Sequence, residues 1–228
     1  YRRYQKSGKR EDRKIEAQTR LGQVLLAQGD RDGADKAWSA AAKAGKKTKG
    51  ESGRYFAAQA RFLQGDQVLA AFEKIQIAGD IKGLRKRLEQ KSDLLQKASA
   101  IYADVVEYRV AEWLTAALYK IGQSYELFAE SLRDAPVPEG LSEVEEQTYR
   151  DELSKLIVPI EERALEAYEG GYRKAIELRV FNTWTQKQRE ALTRMNDIEC
   201  PPLREAVAGL AQGKLLSLPA PYDGLRRA

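Results

Sequence analysis

The chain has 228 residues, 43% of them apolar, and 39 Lys and Arg against 34 Asp and Glu give a net charge of +5. It has no histidine and a single cysteine, which excludes Ser-His and Cys-His catalysis, His-ligated metals, an intrachain disulfide and any multi-cysteine zinc site. No apolar run approaches the ~20 residues needed to span a bilayer.

Between residues 15 and 48, Leu21-Gly22-x2-Leu25 followed by Ala34-x3-Trp38 and Ala41 resembles the tetratricopeptide repeat, a helical hairpin with a small residue at each close contact. In that reading Gly22 lets one helix press on its neighbour, Trp38 fills the hole between hairpins, and Gly29-Asp30 forms the turn. One 34-residue period further on, Val68, Phe72 and Ile75 keep the second-helix face. Tyr55 and Phe56 then fall on the first helix, and Gly65-Asp66 serves as a displaced turn. From 84 to 106 a helical stripe runs through Leu84, Leu88, Leu95, Ala98, Ile101, Tyr102 and Val105.

A third copy begins at Leu118-x2-Ile121-Gly122-x2-Tyr125, within a stripe from Trp113 through Ala117 and Phe128 to Leu132. Its second half, Ala164-x3-Tyr168, comes 39 residues after Tyr125, where the repeat allows about nine. The spacing predicts two overlong helices rather than an inserted domain. Pro136-Val137-Pro138-Glu139-Gly140 breaks the chain, since proline donates no helical hydrogen bond. Ser142 with Glu145 then forms a capping box for a helix reaching about Leu178, with Pro159 as a kink or local restart. A last helix spans about 182–195 and carries Trp184, Leu192 and Met195. No segment alternates with period two. The fold class is therefore all-α: tetratricopeptide-like hairpins stacked as a solenoid, with overlong helices in the C-terminal half.

Three regions are expected within one continuous solenoid: basic repeats over 1–82, a long-helix region over 83–200, and an irregular tail over 201–228 with Pro219, Pro221 and Gly224. Cys200, beside Pro201-Pro202, reads as an ordinary thiol, or alternatively as an oxidisable surface one. The chain opens on Tyr1 rather than Met, as expected of a processed or partial chain, so the lack of a leader carries no information on compartment.

Charge is segregated. Residues 1–100 hold 23 Lys and Arg against 12 Asp and Glu, a net of +11, while residues 101–228 carry a net of −6. The basic groups concentrate in Arg2, Arg3, Lys6, Lys9, Arg10, Arg13 and Lys14, and again in Lys43, Lys46, Lys47 and Lys49. They could attract an acidic partner, nucleic acid or anionic headgroups, or simply solvate a helix face and an inter-repeat loop. The opposition of charge also permits head-to-tail stacking with another copy.

Catalytic signals are nearly absent, and no enzymatic activity and no cofactor or metal are expected. Gly45-Lys-Lys-Thr-Lys-Gly50-Glu51-Ser52 departs from a phosphate-binding loop because Glu51 stands where the loop needs Lys. The acidic run Glu143, Glu145, Glu146, Asp151 and Glu152 suits exposed helix positions, some near an N-terminus. Most of Trp113, Tyr119, Tyr125 and Phe128 are expected in the core.

In tetratricopeptide proteins the first helix of each hairpin lines a concave face. By that resemblance the face carries Glu16, Thr19, Arg20 and Gln23 in the first copy, and Tyr119, Lys120, Gln123 and Glu126 in the third. The candidate partner-binding set is Arg20, Gln23, Lys43, Lys46, Lys47, Lys49, Tyr119, Lys120 and Gln123. Long polar side chains there could hold a peptide backbone or a terminal carboxylate, or be merely exposed.

A closer resemblance rests on Tyr102-x2-Val105-Val106-Glu107, Glu112-Trp113-x3-Ala117-Leu118-Tyr119-Lys120-Ile121-Gly122-x2-Tyr125-x2-Phe128-Ala129, Pro136-Val137-Pro138-x-Gly140-Leu141-Ser142, Tyr149-x3-Leu153, Glu162-x-Ala164-x3-Tyr168 and Asn182-x-Trp184-Thr185. This succession over about 100–196 resembles the C-terminal helical-repeat region of large tetratricopeptide proteins of deltaproteobacteria, including those of the myxobacterial gliding-motility machinery. The resemblance implies a non-enzymatic scaffold in an envelope-spanning assembly, in the periplasm or at the outer membrane, with other envelope proteins as partners and any membrane contact indirect. The alternative is a nucleic-acid-binding helical repeat using residues 1–50. Against it, only Tyr1, Tyr4 and Trp38 interleave the basic stretch with aromatic rings.

Overall fold

The computed structural model describes residues 1, 4, 8, 10–77, 81–138 and 140–196. Seven helices and no strand occur among them: α1 (Glu11–Ala27), α2 (Arg31–Gly45), α3 (Glu51–Glu73), α4 (Ile81–Val106), α5 (Ala111–Arg133), α6 (Glu143–Glu177) and α7 (Thr183–Met195). The regions 201–228 and Cys200 lie outside the described residues, as do Arg2, Arg3, Lys6 and Lys9.

Local chemistry sets the boundaries. The Asp30 carboxylate accepts from the Gly33 N–H and caps α2, while Gly29, at φ +86°, makes the reversal that an L side chain resists. Ser142 and Glu145 form the reciprocal capping box at the start of α6. The Asn182 side chain accepts from the Trp184 and Thr185 N–H groups and opens α7. α6 runs unbroken through Pro159. Its ring removes the hydrogen bond to the Lys155 carbonyl, but that stretch faces water, where Val158 is 53% exposed.

Consecutive helices pack as antiparallel neighbours, giving the hairpins α1–α2, α3–α4 and α5–α6 with α7 following. The first helices also pack on one another, α1 on α3, α3 on α5 and α5 on α7, whereas the backbones of α2 and α4, and of α4 and α6, stay apart. The first helices therefore form one continuous layer and the second helices an outer row.

Each hairpin closes around the same device. A Cβ on Gly22 would lie 2.5 Å from Trp38 Cδ1, one on Gly65 2.5 Å from Tyr102 Cε1, and one on Gly122 2.7 Å from Tyr168 Cδ1. In each case an aromatic ring of the second helix occupies the notch left by a first-helix glycine, and Trp38, Tyr102 and Tyr168 are fully buried. Burying such a ring contributes on the order of 5 kcal/mol of gross hydrophobic stabilisation. Small residues flank each ring at fixed spacing: Ala34 and Ala41 around Trp38, Ala98 and Val105 around Tyr102, Ala164 and Gly171 around Tyr168, all buried.

This register corrects the second repeat. Gly65-Asp66 is not a turn; it lies inside the unbroken α3, and Val68, Phe72 and Ile75 do not stand on a second helix. The second copy has overlong helices like the third, and its ring is Tyr102. The long helices end the same way, with Arg109 and Arg179 both left-handed at φ 55°. They stand in the sequences Glu107-x-Arg109-Val110 and Glu177-x-Arg179-Val180.

The glycine notch makes a testable contrast within one residue type. Gly65→Ala is expected to cost about 1–3 kcal/mol by overpacking against Tyr102. Gly170→Ala, with nothing within 4 Å of its added Cβ, should gain about 0.5–1 kcal/mol of helix propensity. Urea unfolding of the two variants reads both signs.

Candidate functional site

The layer of first helices carries a continuous path of aromatic and cationic side chains from α1 to α7. The Arg20 guanidinium lies over the Phe56 ring at 5.4 Å. Phe56 meets Tyr55 edge-on at 5.4 Å, Tyr55 meets Trp113 at 5.6 Å, and Trp113 meets Phe62 at 5.2 Å. Phe62 contacts Trp184 at 5.7 Å, and Trp184 contacts Tyr119 at 5.6 Å. Lys187 closes the path, 4.8 Å from the Trp184 ring and 5.8 Å from that of Tyr119. Phe62 and Trp113 are buried, while Tyr55, Phe56, Tyr119 and Trp184 remain half-buried. Burial first, and then the Glu112 carboxylate, push the Tyr55 hydroxyl above its ordinary pKa.

Polar contacts lock the same layer. The Trp38 indole N–H donates to the Thr19 carbonyl (3.1 Å), and the Thr19 hydroxyl donates to the Phe56 carbonyl on α3 (2.9 Å). The Tyr102 hydroxyl donates to Asp66 (2.8 Å), and Lys120 on α5 sits 3.6 Å from the same carboxylate. The Tyr168 hydroxyl donates to Glu126 (2.7 Å), to which Arg194 on α7 also donates (2.6 Å). Each of the three rings seated in a glycine notch thus holds a first-helix group that reaches the next hairpin. Burial raises the Asp66 carboxyl above the usual carboxylate range, with Lys120 and the Tyr102 hydroxyl opposing. Burial likewise raises the Tyr168 hydroxyl, and Glu126 adds to it.

These contacts sort the candidate residues. Thr19 is fully buried and does not belong to an exposed face, because α1 packs directly on α3 there. Arg20 and Gln23 are half-buried and joined by a 3.4 Å hydrogen bond. Glu16 pairs with Arg13 at 2.7 Å. Lys120 donates to Gln123 (2.9 Å) within α5 as well as pairing with Asp66, so Lys120 and Glu126 hold helices of neighbouring hairpins together while Gln123 bonds only along its own helix. Tyr119 packs between Tyr168 and Trp184. Lys43, Lys46, Lys47 and Lys49 are exposed on and after the end of α2. Lys46 alone is engaged there, with Asp104 at 2.6 Å, a carboxylate it shares with Arg61 (2.8 Å).

No protein-family model, curated protein or solved structure matches the chain.

The basic turn has neighbours that spacing alone could not reveal. Arg54, in the first turn of α3, and Arg109, in the turn after α4, line two adjoining cavities of about 400 and 420 Å3. Lys46 and Thr48 line the first. Nothing in the sequence joins Arg54 to Arg109; the periodicity that could have done so is the enlarged second repeat, Ala98-x3-Tyr102-x2-Val105. A larger cavity of about 770 Å3 lies on α7 and the end of α6, where Phe181 is 77% exposed. Among the described residues no group of three or more metal-ligating side chains converges, and no helix is long and apolar enough to cross a membrane.

The raised Asp66 pKa has a definite sign. In the window just above the ordinary carboxyl pKa of 3.8, folded Asp66 holds its proton while the unfolded chain has lost it. Its contribution to stability is therefore greatest below that value and falls as pH rises through the folded pKa. The stability of Asp66→Asn relative to the native chain should accordingly increase between pH 3 and pH 7, which parallel urea melts measure.

Proposed function

We propose that this chain is a non-enzymatic, tetratricopeptide-like solenoid that scaffolds protein–protein contacts. The observation carrying the proposal is the unbroken path from Arg20 to Lys187 across all four first helices. The half-buried rings at its two ends, Phe56 and Tyr55 beside Arg20 and Trp184 and Tyr119 beside Lys187, suit a peptide bearing apolar and acidic side chains. Because packing already fixes these rings, binding orders few side chains, which favours affinity.

By the more specific of the two sequence resemblances, such a scaffold would belong to an envelope-associated assembly, periplasmic or at the outer membrane, such as the gliding-motility machinery. The nucleic-acid reading draws less support. Trp38, the ring best placed to stack on a base within residues 10–50, is fully buried against Gly22. Tyr4 and Tyr1, 39% and 58% exposed, are the remaining rings of that region.

A crosslinking pull-down from the native cell envelope tests the proposal. Reversal of Lys43, Lys47 and Lys49 to Glu, leaving Lys46 on Asp104, should lower recovery of envelope proteins. Arg20→Glu with Lys187→Glu should do the same if the aromatic path is used. Recovery unchanged in both variants, or recovery of RNA or DNA complexes instead, would overturn the reading.

A further inference from the structure

We propose that Arg54 and Arg109 form an oxyanion-binding cleft that receives a carboxylate side chain from an acidic peptide segment of a partner protein. The proposal rests on the scaffold reading only for the kind of partner. The cleft stands on its own geometry.

Arg54 Nε is shut off from solvent and has no hydrogen-bond partner. A buried, unsatisfied guanidinium nitrogen is costly, which leaves Arg54 short of an acceptor. Nine of the ten ion pairs of the described residues use Arg or Lys elsewhere, and the tenth is Lys46–Asp104 on this rim. Neither Arg54 nor Arg109 joins any of them. Two arginines without an ion pair therefore line one pair of adjoining cavities. The fork of a guanidinium matches a carboxylate or phosphate in two parallel hydrogen bonds.

The surroundings choose between oxyanions. Glu107 lines one cavity and Glu51 the other, so a dense polyanion such as a nucleic-acid backbone would meet repulsion on both sides. A single carboxylate would not. Tyr55 and Val110 line the second cavity and offer apolar contact to a residue beside the acid. Tyr55 is also a member of the aromatic path, so the cleft adjoins that path. Lys47 and Lys49, exposed in the turn that carries Thr48, would add long-range attraction.

Backbone conformation fixes the choice of variants. Arg109 is left-handed at φ 55°, a conformation Asn adopts readily, so Arg109→Asn removes the charge and keeps the turn. Arg54→Met keeps the aliphatic stem that packs. The experiment titrates a labelled hexapeptide with one Glu among apolar residues into the native chain, into each variant, and into Lys36→Glu as a control, an exposed lysine that lines neither cavity. Thermal melts confirm that each variant is folded. The expected result is binding that weakens with salt, is reduced tenfold or more by Arg54→Met and by Arg109→Asn, and changes little with Lys36→Glu. No binding to the native chain, or equal binding by native and both arginine variants, overturns the cleft. So does inorganic phosphate or duplex DNA that binds more tightly than the peptide and displaces it. The two readings fail separately. Envelope proteins recovered equally with Arg54→Met and Arg109→Asn would leave the scaffold and remove the cleft, whereas arginine-dependent peptide binding with no envelope partner would do the reverse.

Discussion

The structure depends on an aromatic ring of each second helix seated in a glycine notch of the first. Gly22 with Trp38, Gly65 with Tyr102 and Gly122 with Tyr168 repeat this contact while the helices around it grow. A helix pair can approach closely only where one partner lacks a Cβ, and the space gained is filled by the bulkiest ring available. Length outside the notch is then free to vary. That freedom explains how a 15-residue α2 and a 35-residue α6 serve equivalent places in one architecture.

The ring does more than fill space, because its polar tip sets the next hairpin. The Trp38 N–H holds the Thr19 backbone, and Thr19 reaches Phe56; the Tyr102 and Tyr168 hydroxyls hold Asp66 and Glu126, which Lys120 and Arg194 then meet. A half-buried carboxylate left alone would be costly, and a buried phenol without a partner likewise. The two needs are met by one contact, and the surplus charge on the acid recruits a cation from the following helix. Packing within a hairpin and docking between hairpins are thereby coupled.

Much of this was legible in the residues. The Ser142–Glu145 box and the Gly29 turn follow local rules that need no tertiary context, and both stand in the structure, whereas Pro159, expected as a kink or local restart, sits inside one helix. The second repeat was misplaced because a fixed 34-residue period was imposed on a chain whose hairpins lengthen. Shifting by that period lands on Val68 and Phe72, which are apolar and so look acceptable. The spacing Ala-x3-aromatic-x2-small survives lengthening where the period does not, since it records contacts inside one helix. The candidate face was legible in part. Arg20 and Tyr119 join the aromatic path, but Thr19 and Lys120 are drawn into helix–helix contacts, and a pattern of exposure along one helix cannot show what the next helix covers.

The basic segment illustrates how charge and position separate. Counted along the chain, Lys43 to Lys49 is a run of four lysines in a loop, and a run of that kind is ordinarily solvated. Folding alters its meaning by bringing Arg54 and Arg109 beside it from elements 55 residues apart, while Asp104 takes up Lys46 and Arg61. The lysines extend freely into water, where screening weakens them. The two arginines line a recess without an ion pair, in a setting where a bound anion gains more per contact. In the proposed cleft, binding would thus reside in the two arginines that the fold assembles, with the lysines around them as a diffuse attracting field.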